Sequence, residues 1–83
     1  MEEFDNRVIV ITGGGGGIGG ATARRFAAKG GRIAVLDRDP EAAARTVAQI
    51  EAEGGTARAY GCDITDRPGV DAVIAAVEAE LGP

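Results

Sequence analysis

Arg7-Val8-Ile9-Val10-Ile11-Thr12-Gly13-Gly14-Gly15-Gly16-Gly17-Ile18-Gly19-Gly20 decides how the rest of the chain is read. Its opening is a β-branched run with no polar alternation, the pattern of a strand covered on both faces of a parallel sheet. Beyond the glycines, Ile18, Ala21, Thr22, Arg25 and Phe26 recur at helical spacing as far as Lys29. Gly30-Gly31 then offers the left-handed residue that commonly ends a helix. The glycines therefore join a strand to a helix. Backbone without β-carbons turns tightly there and lets an anion approach the first helical N–H groups, which lack partners and lie at the positive end of the helix dipole. A pyrophosphate is the anion that suits such a loop. Five consecutive glycines fit almost any glycine template, so it is the strand before them and the helix after them that carry the argument. A flexible linker at this place would put free backbone between two packed elements at an entropic cost. Gly19 and Gly20 have a packing role available as well, letting the helix lie close to the strand.

The same unit repeats downstream. Arg32-Ile33-Ala34-Val35-Leu36-Asp37 is a second buried-strand pattern, and Asp39-Pro40 opens a second helix with an aspartate cap and a proline at the first position. That helix points Ala43, Val47 and Ile50 inward and stops at Gly54-Gly55. Thr56 to Asp63 reads as a third strand, interrupted by Arg58 as expected near a sheet edge. A last helix begins around Thr65-Asp66-Arg67-Pro68, carries Val70, Val73, Ile74, Val77 and Leu81 on one face, and ends at Gly82-Pro83. Alternating strands and helices with short connections predict an α/β, Rossmann-type half-domain: three parallel strands in the order 3-2-1, truncated before a fourth. Residues 1–83 form a single incomplete nucleotide-binding domain on this reading.

Asp37 ends the second strand about twenty residues beyond the glycines, where a dinucleotide site places a carboxylate to accept from both adenosine ribose hydroxyls. That charge would repel a 2′-phosphate. Arg38 follows it and is able to pair with such a phosphate, but it sits between Asp37 and Asp39, so NAD is expected over NADP. A P-loop is excluded, because the one lysine, Lys29, stands at the far end of the first helix.

Composition narrows the partners. The formal net charge is -4, which leaves no basic surface for the counterion release behind nucleic-acid binding. The longest apolar runs are of strand length, far short of the roughly 20 residues that span a bilayer. The residues from Met1 to Asp5 do not resemble a signal peptide, so a cytoplasmic location is expected. One cysteine and no histidine exclude an internal disulfide and the common zinc sets, and Cys62 is expected to pack as a small hydrophobe. Only Phe4, Phe26 and Tyr60 are aromatic, which suits close helix-on-sheet layers better than a bulky core.

From Phe4 through Gly82 the chain resembles the short-chain dehydrogenase/reductase family. Thr12-Gly13, three residues, and Gly17-Ile18-Gly19 resemble its TGxxxGIG loop, Asp37-Arg38 its ribose carboxylate, and Cys62-Asp63-Ile64-Thr65 its third-strand end. The resemblance implies an NAD(P)-dependent oxidoreductase acting on alcohol or ketone groups. It also implies that Gly13, Gly16, Gly17, Ile18, Asp37, Asp63 and Ile64 line the cofactor site, with Asp63 at the adenine amino group and Ile64 beside the ring. Two plainer roles stay open: Asp63 as a support for the turn into the last helix, and Thr12 as a partner of its own turn. The family's Ser and Tyr-x-x-x-Lys lie beyond the point reached here, and Tyr60 is followed four residues later by Ile64. The chain is thus expected to bind the cofactor as an N-terminal half, with no catalytic residues and no turnover of its own. The alternative is a structural or engineered half-domain that folds and self-associates without significant nucleotide binding. Either way the first strand would present an unpaired apolar edge, so a homodimer is expected through that strand or an exchanged last helix.

Overall fold

The computed structural model describes residues 5–82; Phe4 and Pro83, at the two ends of the sequence reading, lie outside them. Its elements are β1 (Val8–Thr12), α1 (Gly17–Ala28), β2 (Arg32–Asp37), α2 (Pro40–Ala52), β3 (Thr56–Gly61) and α3 (Arg67–Leu81). The three strands are parallel in the order β1-β2-β3, with Val8 opposite Arg32 and Arg32 opposite Thr56.

Alternation along β2 builds two apolar layers. Ile33 and Val35 face α1 and α2, where Ala23, Ala27, Ala43 and Ile50 close over them. Ala34 and Leu36 face α3 and meet Cys62, Val77 and Leu81. Alanines on the helices bring the layers close, and the buried bulk rests on Ile33, Leu36, Ile50 and Val35. Each such side chain contributes at most about 1.5 to 3 kcal/mol by leaving water. Cys62 is a free thiol in the second layer, as expected of a small hydrophobe.

Local signals set the element ends. Asp39 caps α2 by accepting from the N–H groups of Glu41 and Ala42. Gly30 and Gly54 take the left-handed conformation just past α1 and α2.

Three expectations need correcting. β1 is half-buried rather than covered on both faces: Val10 is 39% exposed, because β1 ends the sheet order and α3 leans on β2 and β3. β3 ends at Gly61, two residues early, although the Cys62 N–H still donates to the Asp37 carbonyl. Ile74 does not belong to the inward face of α3, where Val77 and Leu81 are the buried residues. Among the described residues no helix is long and apolar enough to cross a membrane.

Candidate functional site

The glycine loop passes over the carboxyl ends of β1 and β2. It is pinned early and open late. The Gly14 N–H donates to the Leu36 carbonyl at 3.1 Å, and the Gly15 N–H donates to Asp37 Oδ2 at 3.0 Å. A β-carbon on Gly14 would lie 2.8 Å from Val35 Cγ1, and one on Gly15 2.7 Å from the backbone of Ala42. One on Gly19 would run into the Gly13 carbonyl, the packing role anticipated for that glycine. Around Gly13, Gly16 and Gly17, by contrast, a β-carbon would meet nothing within 4 Å. Gly13 has a φ of 65°, which favours glycine there on conformational grounds.

Gly16 is the N-cap of α1, with extended backbone, no side-chain cap and no acidic residue in the first turn. The leading N–H groups of a helix have no partners in its own ladder. Here Gly16 and Gly17, where they begin, are exposed. Ile18, in that first turn, is 89% exposed.

Asp37 stands beside this opening. Its Oδ2 accepts from Gly15 and its Oδ1 from the Asp39 N–H at 2.9 Å. A carboxylate offers roughly four acceptor positions, so about one on each oxygen is left for another donor. Two vicinal hydroxyls fit that remainder, and a phosphate does not.

The third-strand end is arranged for its own turn. Asp63 Oδ1 accepts from the Thr65 N–H at 2.9 Å and the Thr65 hydroxyl at 2.7 Å, while its carbonyl accepts from the Asp66 N–H. The Thr65 hydroxyl, then its N–H, hold the Asp63 carboxyl below its usual range, with Arg38 adding a smaller attraction. The plainer of the two roles open to Asp63 is therefore present. Its Oδ2 lies 4.0 Å from Arg38 Nη2, so Arg38 reaches across to the next strand end while Asp39 is spent on its helix. Ile64 is 62% exposed.

Gly13, Gly16, Gly17 and Ile18 thus lie exposed along the loop and the first turn of α1, Asp37 is bonded to that loop through Gly15, and Asp63 and Ile64 follow the end of β3. Sequence reasoning missed Thr46, the buried polar side chain among the described residues, whose hydroxyl donates to the Gly14 carbonyl at 2.9 Å. Nothing local marks it.

Tyr60 is committed to a neighbouring helix. Its hydroxyl donates to Glu80 Oε1 at 2.6 Å, and partial burial, then Glu80, push its pKa up to about 12. Hydride-transfer chemistry needs a shift in the other direction. A cavity of about 820 Å³ follows the outer edge of β3 between α2 and α3 and touches neither the glycine loop nor Asp37. It is the open sheet edge, guarded by Arg58 and Glu80. Among the described residues no group of His, Cys, Asp and Glu is placed to hold a metal ion.

Residues 7–83 match a family model described as short chain dehydrogenase. The chain is 38% identical over 79 residues to 2,3-dihydro-2,3-dihydroxybenzoate dehydrogenase of Bacillus subtilis, covering 95% of this chain and 30% of that protein. Among solved structures it is similar to an NAD+-bound xylitol dehydrogenase, with a TM-score of 0.93 and 38% identity over 98% of this chain and 31% of the other. A metagenomic short-chain oxidoreductase in complex with NADP gives a TM-score of 0.89 at 33% identity, covering 95% and 36%. The chain spans about 30% of the length of the curated relatives it matches.

Proposed function

The chain belongs to the short-chain dehydrogenase family, and from that premise we propose that it is the NAD-binding part of an oxidoreductase acting on alcohol or ketone groups. Relatives in complex with NAD and with NADP support a nicotinamide dinucleotide as the ligand. Gly13, Gly16, Gly17 and Ile18 would hold the pyrophosphate at the start of α1, Asp37 the adenosine ribose, and Asp63 and Ile64 the adenine. The bound cofactor supplies the hydride chemistry; these residues bind and orient its ADP half. The observation that carries the choice of NAD is the Asp37 carboxylate, which is anchored by two N–H groups and keeps acceptor positions for two hydroxyls. Arg38, mostly exposed, is engaged with Asp63 and competes poorly for a 2′-phosphate.

NMR or calorimetric titration with ADP and 2′-phospho-ADP tests this. ADP should bind near the millimolar range, roughly -4 kcal/mol, and Asp37→Ala should weaken it by about 1.5 to 3 kcal/mol while 2′-phospho-ADP gains relative ground. An unchanged preference between the two ligands would remove Asp37 from the ribose. With NAD and secondary alcohols the 83-residue chain should show no rise in NADH absorbance, since its tyrosine is tied to Glu80. A cytoplasmic location is part of the same proposal, and cell fractionation checks it.

A second reading rests on β1. Its outer edge has no neighbour among the described strands, and Val10 is 39% exposed on it. Pairing of first strands across a two-fold axis, or exchange of α3, would cover that edge in a homodimer. Light scattering that finds only monomer at high concentration rejects self-association.

A further inference from the structure

Thr46 lies on the buried face of α2, 3% exposed, where an apolar residue would ordinarily stand. A hydroxyl in that position costs stability unless it is hydrogen-bonded. Threonines inside helices usually satisfy themselves on the preceding turn, and Thr22 does so, donating to the Ile18 carbonyl at 2.8 Å. Thr46 turns away from its own helix instead. Its Oγ1 donates across 32 positions to the Gly14 carbonyl at 2.9 Å.

The acceptor is the pinned part of the glycine loop. Gly14 is buried, its N–H is taken by the Leu36 carbonyl, and the next residue, Gly15, abuts Ala42 and donates to Asp37. Leu36, Asp37 and Thr46 therefore hold Gly14 and Gly15 from three directions, and the free amides begin immediately afterwards at Gly16. Orientation of those amides depends on how the two peptides before them are held. We infer that Thr46 is a positioning residue for nucleotide binding: from beneath the loop, without touching the ligand, it sets the direction of the N–H groups that receive the pyrophosphate. This rests on the dinucleotide reading above and adds to it a residue on a different helix.

ADP titration of the 83-residue chain, Thr46→Val and Thr46→Ser by NMR, at a temperature where all three are folded, tests the inference. Thr46→Val keeps the shape and loses the donor, so ADP should bind about tenfold more weakly, which is about 1.4 kcal/mol. Amide exchange at Gly14 and Gly15 should also speed up. Thr46→Ser keeps the donor and should bind within about twofold of the parent, although losing a buried methyl lowers its melting temperature. A purely structural threonine predicts the reverse: lower stability in both variants, with equal ADP affinity and unchanged loop exchange, and that result overturns the inference. If the parent chain itself fails to bind ADP, the nucleotide reading fails; loop exchange faster in Thr46→Val alone then still supports the positioning, and equal exchange rejects it. Should Thr46→Val not fold, Thr46→Ala removes the same hydroxyl and is judged by the same two measurements.

Discussion

The helices α1 and α2 are entered the same way, from the carboxyl end of a parallel strand, yet their first turns are built oppositely. At α2 the Asp39 side chain accepts from two leading N–H groups, proline occupies the first turn, and Glu41 adds charge that suits the dipole. At α1 the cap is Gly16, with no side-chain bond and no acid, and open space lies before it. Both helices bury a face in the same apolar layer against the sheet, so burial alone does not require the difference. A helix start capped only by glycine forgoes a few tenths of a kcal/mol of stability, which an arriving anion can restore. Of these two starts, the closed one at α2 serves the fold, and the open one at α1 is left for the binding proposed above.

The strongest way to break the contrast is to remove the room α1 needs. Gly19→Ala would push a methyl into the Gly13 carbonyl, which is backbone with nowhere to move, and should cost about 3 kcal/mol or more in denaturant unfolding. Gly16→Ala, with nothing near its new methyl, should cost no more than about 0.5 kcal/mol. Equal losses at the two positions would mean the loop is not held as described.

A second substitution sharpens the contrast by copying one helix start onto the other. Gly16→Asp places a capping carboxylate on extended backbone already suited to it. The chain should become a few tenths of a kcal/mol more stable while ADP affinity falls at least about tenfold, because the new charge occupies the anion's place. Undiminished ADP binding would show that the pyrophosphate does not lie at α1. The smallest effect is expected from the converse change. Asp39→Ala opens α2 and should cost about 1 kcal/mol of stability, with ADP affinity unchanged because the bond from Asp39 to Asp37 is made by the backbone N–H. Thermal unfolding and ADP titration of the one variant measure both halves.

Much of this organisation was legible before any coordinates. The bounds of β2, the Asp39 cap and the left-handed Gly30 follow from patterns confined to a few neighbouring residues, and the structure has them where expected. Asp37 was also legible, because its place at a strand end after a glycine loop is a spacing along the chain. The exposure of Val10 was not, since the same β-branched run is written whether a strand is flanked on one side or on two.

By itself, then, the sequence determined the alternation of strands and helices, the α/β class and the family, all of which rest on periodicity, caps and short spacings. Only the tertiary structure decided which glycines in a uniform run are pressed against neighbours and which are open. That distinction depends on Ala42, Val35 and Thr46, which lie more than a helical turn away along the chain and are brought to the loop by packing. It also decided that Asp63 supports its own turn, that Arg38 turns to Asp63, and that a threonine in an apolar stripe holds the loop. Hydrogen bonds such as Thr46 to Gly14 and Gly15 to Asp37 join residues 32 and 22 positions apart, and no local pattern encodes a contact that forms only after two helices have settled on one sheet.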